Sequence, residues 1–199
     1  MFAEALARCT AGIVDLSPAQ VELLRSHFEL LVRWNESLNL TRVSSVEAAV
    51  ERHYAESLFL AKHLQPVPLR IVDVGSGPGF PGYPVAVLRP DCSVTLVESH
   101  QRKAVFLKEA ARLLPNVRVL AQRAESVSEK FDVVISRAVS YEDLIEALRK
   151  LSSSAALLSG VEVPPPKIRF DWEEPIPLPW GKQRFLRLGT ESGSPSRFT

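Results

Sequence analysis

The feature that most constrains this chain is a glycine-rich turn set between a strand and a helix. Residues 69–74 form a short apolar run that ends in Asp73-Val74-Gly75-Ser76-Gly77-Pro78-Gly79, and residues 81–88 have helical character. Apolar runs at Ser93–Val97, 117–121 and 131–136, with a weaker one at 155–158, predict four more strands. Helical stretches at 101–113 and Tyr141–Leu151 lie between them. Strands that alternate with helices are joined by right-handed crossovers. The sequence therefore predicts an α/β, Rossmann-like, mostly parallel and doubly wound sheet.

The flanks differ from this middle. Residues 1–65 read as a helical segment, and residues 66–199 as the sheet-bearing core of one compact domain. Ser17-Pro18-Ala19-Gln20 is a helix start, with Ser17 as cap, Pro18 at the first helical position and Gln20 closing a capping box. Val21, Leu24, Phe28 and Leu31 then share a face, and Trp34 to Asn39 run out of that pattern. Ser44 and Glu47 suggest a second capping box, before Val50, Tyr54, Leu58 and Ala61 on another apolar face. Pro66 and Pro68 mark a linker. After Gly160, prolines at 164, 165, 166, 175, 177 and 179 exclude long regular structure. Residues 184–188 suit a last strand, and 189–199 read as a frayed polar tail.

A net charge of +1 neither requires nor excludes nucleic acid, because binding depends on a local basic face. Cys9 and Cys92 have no metal-binding spacing and read as free thiols in a reducing compartment. Residues 1–14 lack the pattern of a secretory signal. No apolar stretch approaches the roughly 20 residues that span a bilayer. The expectation is a cytoplasmic protein with no metal and no membrane contact.

The turn itself narrows the ligand. Glycines there permit positive φ and close backbone approach, at the sheet edge where doubly wound folds bind ligands. A dinucleotide site wants its third glycine three positions after the second, but Gly79 follows Gly77 by two. Asp73 would serve a pyrophosphate poorly. It suits a cationic aminoacyl group, either by ordering the loop or through water. Glu98, ending the next strand, can accept from two ribose hydroxyls. Ala124 and Glu125, after the third strand, offer a backbone N–H and a carboxylate to an adenine edge. Together they describe an adenosine ligand without a phosphate chain, which fits S-adenosyl-L-methionine. Arg137 ends the fourth strand, where its fork can orient a cofactor carboxylate, an RNA phosphate or a base edge. Arg102, Lys103 and Arg123 flank the same edge as candidate phosphate contacts.

Trp34-Asn35, Asn39-Leu40-Thr41, Arg52-His53, Gly75-Ser76-Gly77-Pro78-Gly79-Phe80-Pro81-Gly82 and Ile135-Ser136-Arg137-Ala138 resemble the bacterial 16S rRNA guanine-N7 methyltransferase family, also called RsmG or glucose-inhibited division protein B. The resemblance runs from about Leu16 to Gly160. It implies a seven-stranded methyltransferase sheet behind N-terminal helices, acting on one guanosine of 16S rRNA or the small ribosomal subunit; a monomer is the expected state. It also implies cofactor contacts at Gly75, Phe80, Ala124, Glu125 and Arg137, and an RNA-facing His53. Glu56, Ser159 and the proline-rich stretch from Pro164 stand where the family usually has Asp, Lys and a different C-terminus.

The residues that are absent agree with such chemistry. Guanine N7 has an in-plane lone pair and no proton, so its methylation needs alignment and charge management rather than a general base. Ser136-Arg137-Ala138 stands where amine methyltransferases usually carry an Asn/Asp-Pro-Pro-aromatic run. Neither cysteine lies where a cytosine-C5 enzyme needs its nucleophile. The turn and Glu98 do not by themselves separate RNA from a small molecule or protein as acceptor, nor an enzyme from a non-catalytic binding module.

Overall fold

A computed structural model describes the chain apart from residues 42–44, 163 and 165–169. The helical segment comprises α1 (Phe2–Thr10), α2 (Pro18–Leu38) and α3 (Val46–Ala49), which runs through a π-helical stretch (Val50–Ala55) into α4 (Glu56–Lys62). The capping box at Ser17 forms: Gln20 N–H donates to Ser17 Oγ, and Ser17 N–H donates to Gln20 Oε1. α2 continues through Trp34 and stops only at Asn39, which takes the left-handed conformation at φ 49°. Tertiary packing of Trp34 on Phe106 carries the helix past the point where its apolar periodicity fades. The suggested cap Ser44 lies outside the described residues. α3 is capped by Ser45, whose Oγ accepts from Ala48 N–H.

The sheet contains β1 (Arg70–Val74), β2 (Ser93–Val97), β3 (Val117–Leu120), β4 (Val133–Arg137), β5 (Ser154–Ser159), β6 (Asp171–Trp172), β7 (Ile176–Pro177) and β8 (Phe185–Thr190). Its order is β3-β2-β1-β4-β5-β8-β6, with β7 also on β8. β1 to β5 are parallel, and β8 is antiparallel to β5, β6 and β7. The seven strands implied by the resemblance lie on this path, and β7 makes an eighth. β6 and β7 pair with opposite ends of β8 as one edge strand broken around Pro175, which has no N–H to give a ladder. Helices α5 (Gly82–Leu88), α6 (Gln101–Ala110) and α7 (Tyr141–Leu151) are the crossovers.

Side chains alternate across the sheet with the period of two that strands require. Ile71, Leu96, Ile135 and Leu158 pack with the N-terminal helices, α5 and α6. Val72, Val97, Val134 and Leu157 pack with α7 on the other face. Phe2, Leu6, Leu24 and Tyr54 join the first of these cores, so the helical segment covers the sheet rather than standing apart.

The expectation of a frayed tail at 189–199 is corrected. Residues 189 and 190 belong to β8. Further on, Gln65 N–H donates to Arg197 O, Thr199 N–H donates to His63 O, and Phe198 is buried. Arg197 also pairs with Asp132 at 3.2 Å. One apolar side chain, Phe198, anchors an otherwise polar run, too weak a pattern to read from sequence. Among the described residues no helix is long and apolar enough to cross a membrane, and no cluster of side chains could hold a metal.

Candidate active site

β1 pairs with β2 on one side and β4 on the other, so the chain turns back on itself between β1 and β4. Such a switch point opens a crevice at the carboxyl ends of the strands. The glycine turn lies there. Gly75, Gly77 and Gly79 have φ of 70°, 55° and 95°, which a side chain would strain. Gly75 N–H and Ser76 N–H both donate to Val97 O, tying the turn to β2. Gly77 N–H donates to Glu98 Oε2 at 2.9 Å, and His100 N–H donates to Glu98 Oε1 at 2.8 Å. A Cβ on Gly77 would meet nothing nearer than Gly75 O at 4.0 Å, so this side of the turn faces open space.

Asp73 is fully buried behind the turn. Its Oδ2 accepts from Gly82 N–H at 2.8 Å, while Oδ1 has no partner among the described residues. Burial raises the carboxyl to about 7, against the lowering effect of the Gly82 and Ser76 hydrogen bonds. The close approach of α5 requires Gly82, where a Cβ would lie 2.3 Å from Leu96 Cδ2 and 2.7 Å from Asp73 Oδ2.

The helical segment reaches the turn through His27, which the sequence reading did not single out. His27 Nε2 lies 3.0 Å from Pro78 O and Nδ1 lies 2.7 Å from Tyr54 Oη. A carbonyl only accepts, so Nε2 carries the proton and Nδ1 accepts from the tyrosine. Burial holds this imidazole neutral, with its pKa lowered to about 3. The signal was present in the sequence: His27 sits three residues after Leu24 and four before Leu31, on the buried face of α2.

Arg137, at the end of β4, points back into the protein. Its Nη1 donates to Arg52 O and to His53 Nδ1, both at 2.6 Å, and its guanidinium lies 5.3 Å from the Phe80 ring centre. Its Nε is buried with no partner among the described residues. Burial lowers Arg137 to about 10, with the Glu56 charge opposing. His53 stacks on Phe80 with centroids 4.8 Å apart and places Nε2 2.9 Å from Thr41 Oγ1. It is 8% exposed, so the structure places it beneath Arg137 rather than on an open RNA-facing surface. Burial, then the Arg137 charge, lowers its pKa to about 3.

Ala138 takes φ 58°, which turns the chain sharply after β4. Val139 then covers the glycine turn, and a Cβ on Gly75 would lie 2.6 Å from Val139 Cγ2. Beyond Val139, a cleft of about 490 Å³ opens at the ends of β4 and β5, with Arg137, Ser140, Ser159 and Arg184 in its lining. Arg184 reaches it from the start of the last hairpin arm, with Nη2 2.5 Å from Glu56 Oε2. Burial raises Glu56 to about 7, and the Arg184 charge works against that shift.

The remaining expected residues are more dispersed. Ala124 and Glu125 form a 3₁₀ turn after β3, Ala124 buried and Glu125 exposed. Arg102 and Lys103 open α6, with Arg102 exposed and Lys103 half-buried, and Arg123 is exposed just before the 3₁₀ turn. Glu98 and Asp73 touch the glycine turn directly. Phe80, His53 and Arg137 form one stack beside it. Ser159, standing where the resemblance expects lysine, accepts from Arg187 Nε at 3.0 Å.

The strand order, the glycine turn and the acid ending β2 define the Rossmann-like class I methyltransferase fold. A methyltransferase from Aquifex aeolicus superposes with a TM-score of 0.56 at 15% identity, covering 71% of this chain and 92% of that one. Fibrillarin from Aeropyrum pernix, solved with natively bound S-adenosyl-L-methionine, gives 0.51 at 12% identity, covering 62% and 67%. The family described as rRNA small subunit methyltransferase G (GidB) matches residues 20–158, and the chain belongs to that family. Relatives named ribosomal RNA small subunit methyltransferase G share 43% identity over 131 residues in Chromobacterium violaceum and 46% over 132 in Nitrosomonas europaea. Each match covers 64% of this chain, and it spans 62% and 60% of those relatives' own lengths.

Proposed function

We propose that the protein transfers the methyl group of S-adenosyl-L-methionine to N7 of a guanosine in 16S rRNA, acting as a monomer in the cytoplasm on the RNA or the small ribosomal subunit. The observation that carries this reading is the crevice at the β1–β4 switch point. It has open backbone at Gly77, an unsatisfied buried Asp73 Oδ1, and Glu98 beside them. These residues fit the cofactor. Gly77 admits its methionine part, with Gly75 shaping the turn beneath Val139, and Asp73 offers an acceptor to an ammonium group directly or through water. Glu98 uses one lone pair on each oxygen for the loop and keeps others for ribose hydroxyls. Ala124 and Glu125 border the adenine position.

When bound, the cofactor supplies an electrophilic methyl on a sulfonium. The chain's own part is positioning and electrostatics. Val139 and the glycine turn border the place where donor and acceptor meet, and Arg137 lies beside them as an orienting fork. Arg102, Lys103 and Arg123 supply exposed or half-buried cations for RNA phosphates. Membership of the family supports the rRNA acceptor, and the lack of any required proton acceptor agrees with N7 chemistry. The division into a helical segment at 1–65 and a core at 66–199 serves this reading, with the helices bracing the turn through His27.

The test is methyl transfer from labelled cofactor to small subunits from a strain lacking the enzyme, with the product base mapped by mass spectrometry. A single N7-methylguanosine in 16S rRNA is the expected result. Label on protein, on metabolites or on another base position would overturn the reading.

A further inference from the structure

The cleft beyond Val139 has two apolar walls, with Val139 and Leu158 near the sheet and Leu178 from the last hairpin. Its rim carries Arg184 and Glu162. Tyr141 Oη donates to Glu162 O at 3.3 Å, which holds this stretch of backbone against α7. The Glu162 side chain is exposed and has no partner among the described residues. Glu162 follows β5, two strands away from β1 in the order β1-β4-β5. Neighbouring strands lie ~4.8 Å apart, so the ends of β1 and β5 lie about 10 Å apart.

That span and chemistry match a purine. We infer that the cleft receives the target guanine, extruded from its stack, with N7 toward the glycine turn and its Watson–Crick edge toward Glu162, which makes Glu162 the residue that selects guanine. The inference rests on the methyltransferase reading given above. Guanine presents N1–H and the N2 amine on that edge, and a carboxylate is an acceptor for both. Adenine presents a bare N1 lone pair at the same place, which faces the carboxylate without a proton between them. In this orientation the edge read beyond β5 is turned away from the edge offered to the donor side. Arg184, held through Nη2 by Glu56, leaves Nε and Nη1 for the nucleotide's phosphate.

The experiment compares small subunits reconstituted with guanosine or inosine at the target position, inosine lacking only the N2 amine. Wild-type protein should prefer guanosine by on the order of ten-fold in kcat/KM, the worth of one good base contact. Glu162→Ala should lose activity on guanosine by a similar factor and show no preference between the two, and Glu162→Gln should fall between. Cofactor affinity, measured by calorimetry, should stay within about two-fold of wild type, as expected for an exposed side chain away from the turn. An unchanged guanosine preference in Glu162→Ala would overturn the inference, as would loss of cofactor affinity, which would place Glu162 in the other pocket. Absence of transfer by the wild type to guanosine would instead bring down the underlying methyltransferase reading.

Discussion

The two halves of the crevice are built in different ways. On the β1–β2 side, the contacts that shape the turn come largely from the strands and their ends: Glu98 to Gly77, Asp73 to Gly82, and Val97 to Gly75 and Ser76, with His27 of α2 bracing Pro78. On the β4–β5 side, the determining contacts join residues far apart in the chain. Arg137 meets His53 and Arg52 from the helical segment, and Arg184 meets Glu56. The first half is a property of local strand-to-turn geometry. The second exists only once the N-terminal helices and the last hairpin have packed on the sheet. A change on the donor side should therefore act on cofactor binding alone. A change on the acceptor side should reach both turnover and stability.

The largest expected effect is on the donor side. Gly77→Val adds branched bulk to the open face of the turn and strains a positive φ. Cofactor affinity should fall by roughly a hundred-fold or more by calorimetry, with circular dichroism unchanged. Unaltered affinity would remove the turn from the site. Next comes the acceptor side: Arg137→Ala should lower kcat on the order of a hundred-fold while the cofactor still binds, because the fork that fixes the acceptor side in place is lost and the reacting atoms misalign. If affinity fell and turnover per bound cofactor did not, the division between the halves would be wrong.

A third prediction concerns the strut between them. His27 is neutral in the folded protein, with its pKa lowered to about 3, and takes a proton near its ordinary 6.5 when unfolded. Its contribution to stability is thus present above pH 6.5 and is lost as pH falls toward 3, by up to about 1.4 kcal/mol per unit. The Tm deficit of His27→Gln relative to wild type should shrink between pH 7 and 5; a constant deficit would show that the histidine is not buried neutral. The smallest effect is expected at Ala138. Ala138→Gly relieves a left-handed alanine but adds chain entropy, for a net gain of about 0–1 kcal/mol and a Tm rise of a few degrees at most. A clear loss would mean that the Ala138 methyl packs against something that stabilises the turn after β4.

This contrast also explains what the sequence disclosed. Period-two and period-3.6 patterns, with capping and turn residues, placed Ser93–Val97 and Tyr141–Leu151 to the residue and marked the glycine turn and Glu98. Those signals are local. His27 was hidden because a polar residue on an apolar face draws no notice until Pro78 and Tyr54 are known to lie beside it. Arg184 and Glu56 are separated by most of the chain, and nothing in the spacing of either indicates the other. Trp172 packs its ring over Gly189 of β8, where a Cβ would lie 2.6 Å from it, a pairing that no local pattern announces. Phe198 finds its partner Leu64 across nearly the same distance in sequence.

Val139 touches both halves, with one side on Gly75 and the other lining the cleft. A molecule that shifts it from either direction alters the room available to a molecule on the other. Such a shared wall obeys reciprocity: whatever factor the nucleic acid imposes on the grip for the donor, the donor returns to the nucleic acid in equal measure. One valine could thus set the sequence in which the two are admitted, and whether the spent donor leaves before the modified RNA does.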